Sequence, residues 1–164
     1  MPKFLLDANV FIAAKNLLPI DLFPSFWQKM YDLACSGAIH SIVKVKDEIY
    51  KGNSTDPLVT WCNSLPDTFF LSFDTSMASA YGRVITWSQS QTVYTSAALS
   101  EFARLDVADA FLVATAATLN CVIVTNETSD PQCKKRVKIP DAANALGVPC
   151  ISLNDVLRRL GVTI

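Results

Sequence analysis

Four acidic residues, Asp7, Glu48, Asp109 and Glu127, stand where an α/β chain would gather carboxylates. Asp7 ends the apolar run Phe4-Leu5-Leu6, and Glu127 follows Cys121-Val122-Ile123-Val124-Thr125, the clearest strand in the chain. Asp109 directly precedes the small-residue apolar run Ala110 to Ala117. Glu48 lies at the edge of the stripe formed by Ile42, Val45 and Ile49, whereas Asp47 points nearly opposite it at ~100° per residue. In a parallel sheet, strand carboxyl ends and helix amino ends share one rim. Carboxylates crowded on that rim repel one another, and either rise in pKa or bind cations. Hard oxygen ligands suit Mg²⁺ or Mn²⁺ rather than zinc. Two such ions ~3.5–4 Å apart can activate a water and stabilise the leaving oxygen in phosphodiester cleavage.

Lys134-Lys135-Arg136-Val137-Lys138 adds four cations within five residues. Such a run reads as a solvated face or, beside the acids, as a set of phosphate contacts. The single histidine, His40, offers no zinc site or histidine-based catalytic pair and reads as structural. Five cysteines without a close pair at metal-ligand spacing read as free, mostly buried thiols in a reducing cytoplasm.

The elements that must position these residues follow from periodicity and capping. Phe4 to Leu6 is short enough for a buried strand, and Val10 to Leu18 reads as a helix with Asn9 as its N-cap. Phe23, Phe26, Trp27, Met30, Tyr31 and Ala34 recur at helical spacing until Gly37, an aromatic stripe that serves internal core or a homodimer contact. Ser41 is placed to cap a helix over 42–51. Asp56-Pro57 opens another helix to about Ser64, and Phe69 to Leu71 is a short buried strand. Asp74 caps a helix over 75–88, the polar stretch 88–95 is expected to be a mobile loop, and 96–104 is helical. Asp106 fits as N-cap of the next helix, with Asp109 as its third residue reaching back. The strand ending at Thr125, a loop over 127–139, a short helix from Pro140 to Gly147, the strand Cys150-Ile151 and a helix from Leu153 to Leu160 complete the chain.

Strands alternating with helices indicate one α/β domain over 1–164, with a central, mainly parallel sheet flanked by helices and a helical insertion near 74–105. With 51% hydrophobic and 18% charged residues, disorder is excluded. No apolar run reaches the ~18 residues of a membrane span, and the amino terminus reads as a strand rather than a signal peptide. A net charge of −1 argues against a strongly basic nucleic-acid binder overall. Only five glycines and no Gly-rich phosphate loop argue against Rossmann and P-loop proteins.

Asp7-Ala8-Asn9-Val10-Phe11-Ile12 resembles the opening of PIN-domain ribonucleases. Val45 to Ile49 with Glu48, Asp109-Ala110 with the helix that follows, and Val124-Thr125-Asn126-Glu127 resemble their second, third and fourth motifs, in order over nearly the whole chain. Lys135-Arg136-Val137-Lys138-Ile139-Pro140-Asp141 and Phe23-Pro24-Ser25-Phe26-Trp27 resemble a less characterised bacterial branch. The resemblance implies a three-layer PIN-like fold and a Mg²⁺- or Mn²⁺-dependent endoribonuclease in the cytoplasm. By the same resemblance it is a VapC-type toxin held inactive by a cognate antitoxin, with a homodimer plausible. It implies that Asp7, Glu48, Asp109 and Glu127 hold the metal, with Asn9 and Thr125 supporting it by hydrogen bonds. Lys134, Lys135, Arg136 and Lys138 would meet the RNA. Two positions depart from the pattern: Ala8, where threonine is frequent, and Glu127, where aspartate is commoner. The alternative is a PIN-like module that binds RNA or protein with little catalysis. A receiver-like domain is a further alternative, disfavoured because asparagine and glutamate follow the best strand.

Overall fold

The computed structural model describes residues 3–164. Five short strands, β1 (Phe4–Leu6), β2 (Ile39–Ile42), β3 (Phe70–Leu71), β4 (Val122–Val124) and β5 (Cys150–Ile151), form one sheet in the order β3-β2-β1-β4-β5. All four pairings are parallel. The two central strands carry side chains that can be solvated on neither face: Phe4, Leu5, Leu6, Ile123 and Val124 are fully buried.

From β1 the chain steps outward to β2 and β3, then returns to the other side of β1 for β4 and β5. The connections are helical: α1 (Ala8–Leu17) and α2 (Pro24–Cys35) lead to β2, and α3 (Val43–Tyr50) and α4 (Pro57–Asn63) lead to β3. A 3-10 turn, Thr75–Met77, with α5 (Ala78–Ser90), α6 (Ser96–Phe102) and α7 (Asp109–Leu119) precede β4. Then α8 (Ile139–Ala145) leads to β5, and α9 (Leu153–Arg159) ends the chain. Helices α1, α3 and α4 pack together, as do α5, α7 and α8. Because right-handed crossovers in opposite directions fall on opposite faces, these are the two outer layers of a three-layer fold. No helix among the described residues is long and apolar enough to cross a membrane.

Helix α7 is the innermost helix. Every residue from Asp109 to Ala116 is buried, which its thin Ala and Thr side chains permit by letting α5 and α8 approach closely. The aromatic stripe on α2 is largely core: Phe26, Trp27, Met30 and Ala34 are buried, whereas Phe23 is exposed. No disulfide joins the cysteines among the described residues; Cys62 and Cys121 are buried, Cys133 and Cys150 half-buried and Cys35 exposed. His40 lies within β2 with its ring stacked on Phe69, centroids 6.2 Å apart.

Several local expectations are corrected. Asn9 does not cap α1; Asp7 does, accepting from the Ala8 amide at 2.7 Å, so the helix starts immediately after the strand. Ser41 caps nothing, because residues 39–42 form β2; its hydroxyl instead donates to the Leu6 carbonyl at 2.6 Å, tying β2 to β1. The polar stretch 88–95 begins as the last turn of α5, with Ser88 and Tyr94 buried. Asp106 does not cap α7, since its carboxylate pairs with Arg104 at 2.7 Å and Lys51 at 3.6 Å.

Candidate acidic site at the switch point of the sheet

Strand order reverses between β1 and β4, and in open α/β sheets the crevice outside such a pair is where ligands bind. Leu6 pairs with Val124, so the next residues, Asp7 and Thr125, leave the sheet side by side. Their backbones stay in the ladder: the Asp7 amide donates to the Val124 carbonyl at 2.9 Å and the Thr125 amide to that of Ile151 at 3.1 Å. Only the side chains are free to define the rim.

The Thr125 hydroxyl organises this rim. It donates to Asp7 Oδ2 at 3.0 Å and accepts from Asn9 Nδ2 at 3.3 Å and from the Glu127 amide at 3.2 Å. One donor and two lone pairs are thereby all used. Asn9 is fixed in turn, its Oδ1 accepting from the Asn126 amide at 3.1 Å and its backbone carbonyl from Asn126 Nδ2 at 3.3 Å. Ala8 contributes only its amide, so the hydroxyl on Asp7 comes from the neighbouring strand.

Glu127 is deeply buried, its side chain 7% exposed. Its Oε2 accepts from the Ile139 amide at 2.7 Å, at the first residue of α8. Its Oε1 lies 2.6 Å from Arg136 Nη2 as an ion pair, without the geometry of a hydrogen bond. The same Arg136 nitrogen donates to Asp109 Oδ2 at 3.3 Å. Glu48 reaches the site from α3, its Oε1 accepting from the Ala108 amide at 2.9 Å. It therefore supplies, from another element, the cap that Asp106 does not give α7. With Asp109, Arg136 and Glu101 it lines a cleft of about 180 Å³. Asp47, the preceding residue of α3, is exposed.

The electrostatics record the crowding. Burial, then the charges of Asp109 and Glu127, push the Asp7 carboxyl up to about 7 against hydrogen bonds from Thr125 and Ala8. Burial and the charge of Glu127 push Asp109 up to about 6, with Arg136 pulling the other way. Burial opposes the charge on Arg136, yet Glu127 and Asp109 hold its pKa above the ordinary value. Among the described residues, no group of three His, Cys, Asp or Glu side chains stands in an arrangement that could hold a metal ion. The cation among these acids is the guanidinium.

Residues 4–164 match the model of a family described as a domain of unknown function, DUF4411. The chain belongs to the DUF4411 family. A comparison with curated proteins gives no match.

In this DUF4411 chain the basic run divides. Lys134 and Lys135 are exposed, Lys138 is half-buried, and the half-exposed Arg136 lays its guanidinium on Asp109 and Glu127. The loop is pinned beneath them: the Thr95 amide donates to the Lys134 carbonyl at 3.0 Å, and Val137 and Ile139 are buried. The pairing of Arg136 with Asp109 and Glu127 is not legible from the basic run itself. A hint lay in the buried Val137 and Ile139 around it, which anchor the loop against the rim.

Proposed function

We propose that this protein is a PIN-like, Mg²⁺- or Mn²⁺-dependent endoribonuclease, of the toxin type that works against a cognate antitoxin. The observation that carries the reading is the desolvated carboxylate group at the switch point: Asp7, Asp109 and Glu127 charged against one another, with Glu48 beside Asp109. Carboxylates buried together either take up protons or need a cation to offset them. Carboxylate oxygens are the donor type a hard divalent ion takes, although with Arg136 seated on Asp109 and Glu127 they are not arranged around one. The buried Glu127 Oε1, charge-paired but accepting no hydrogen bond, is an oxygen such an ion could use once the guanidinium moves.

Asp7, Asp109 and Glu127 would hold the ion, with Glu48 completing the set. When bound, Mg²⁺ or Mn²⁺ lowers the pKa of a water and offsets charge on the leaving oxygen. The chain supplies orientation: Thr125 fixes the Asp7 carboxylate, Asn9 fixes Thr125, and the Ile139 amide holds one oxygen of Glu127. Lys134 and Lys135, exposed on the adjoining loop, would meet the backbone phosphates, with Lys138 beside them.

A second reading, a binding module with little catalysis, is favoured by Arg136, which already neutralises part of the acidic group. Cleavage of labelled structured and unstructured RNAs in Mn²⁺, Mg²⁺ or EDTA separates the two. Cutting that requires metal and is lost in Asp7→Asn supports the nuclease. RNA binding without cutting supports the module.

A further inference from the structure

We propose that Arg136 is a built-in counter-cation that competes with the divalent ion, leaving the acids when the ion enters. The inference rests on the metal reading above and concerns what the chain does before an ion arrives.

A single guanidinium nitrogen, Arg136 Nη2, bridges carboxylates from two elements: Glu127 Oε1 at 2.6 Å, beyond β4, and Asp109 Oδ2 at 3.3 Å, at the start of α7. Both carboxylate side chains are about nine-tenths buried, at 7% and 11% exposure, whereas that of Arg136 is 51% exposed. The acids are thus fixed and the cation is at the surface of the site. Glu127 is held by the Ile139 amide and its own amide by Thr125, so it cannot follow the guanidinium outward.

The backbone that carries Arg136 is also fixed, by the Lys134 carbonyl on one side and buried Val137 and Ile139 on the other. Release is therefore a side-chain rotation, not a loop opening. The guanidinium and a divalent ion need the same two oxygens, and two cations sharing one carboxylate pair at contact distance repel strongly. Occupation is mutually exclusive. Once released, Arg136 adds a third positive charge to those of its chain neighbours Lys134 and Lys135, both exposed. The residue would then neutralise the acids in the metal-free protein and add to the phosphate-binding surface in the loaded one.

Calorimetric titration with Mn²⁺ of the wild type, Arg136→Gln and Asp109→Asn tests this. The expected result is roughly tenfold tighter Mn²⁺ binding by Arg136→Gln, within the usual range for coupled ligands, and loss of binding in Asp109→Asn. Equal or weaker binding by Arg136→Gln, with Asp109→Asn still deficient, would overturn the competition and leave the metal site standing. No Mn²⁺ binding by either wild type or Arg136→Gln would overturn both. A measurement on the unmodified protein guards against a variant that folds poorly. In nitrogen-15 spectra the Arg136 guanidinium signals should shift as Mg²⁺ is added. A signal unchanged at Mg²⁺ saturation would contradict the displacement.

Discussion

The Thr125 hydroxyl donates to Asp7 Oδ2 at 3.0 Å, joining two residues 118 positions apart at the ends of adjacent parallel strands. The bond crosses the point where the strand order reverses, and it gives the buried Asp7 carboxylate its only side-chain donor among the hydrogen bonds of the rim.

Thr125→Val should leave Asp7, Asn9 Nδ2 and the Glu127 amide without their common partner. Unmade buried hydrogen bonds cost about 1–3 kcal/mol, so the variant should melt at lower temperature. Thr125→Ser retains the hydroxyl and should stay close to wild type. Thermal unfolding of the pair measures this, and equal losses in both would assign the effect to methyl packing instead.

Asp7→Asn should stabilise the protein at neutral pH. The Asp7 carboxyl titrates at about 7 when folded against 3.8 as a free side chain, so its protonated form is favoured by folding. The folded state then binds more protons than the unfolded one between these values, and stability falls as pH rises through that window. Removing the charge should gain about 2–4 kcal/mol above the folded pKa, with the advantage disappearing toward pH 4. Denaturant melts across that range check the slope, and a pH-independent difference would show that Asp7 is not the group responsible.

The parts of this arrangement that could be read from sequence are those set by local composition. Phe4-Leu5-Leu6 and Val122-Ile123-Val124 are apolar on both faces, so their burial and the rim position of Asp7 and Glu127 follow directly. The strand β2 was hidden because His40 and Ser41 interrupt it, and only the Ser41 bond to Leu6 shows why a hydroxyl is tolerated there. Asp106 has the spacing of a cap, yet Arg104 two residues earlier and Lys51 on another element hold it outside. The inward turn of Arg136 depends on a long side chain crossing to residues 9 and 27 positions away, which no periodicity encodes.

Glu48 and Asp47 should separate cleanly, because one bonds the start of α7 and the other faces water. Glu48→Ala should cost about 1 kcal/mol, the usual value of a lost cap, and weaken Mn²⁺ binding. Asp47→Ala should change stability by less than about 0.5 kcal/mol. Unfolding midpoints and metal titration of the two variants test the distinction, which equal losses would refute.

Neutralising Lys134, Lys135 and Lys138 should weaken RNA binding across sequences. Each lost phosphate contact should flatten the slope of log affinity against log salt by about 0.7 on single strands. Filter binding at several salt concentrations gives the slope. If it is unchanged, the lysines are a solvated face.

The claim on which the account rests is that the acids at the switch point form a divalent cation site. Mn²⁺ titration of the wild-type protein above pH 7, where Asp7 and Asp109 are ionised, tests it most directly, with Asp7→Asn and Asp109→Asn alongside. Saturable binding by the wild type, lost in both variants and weakened on acidification, is the predicted result. Absence of binding by the wild type, or binding that both variants retain, would contradict it.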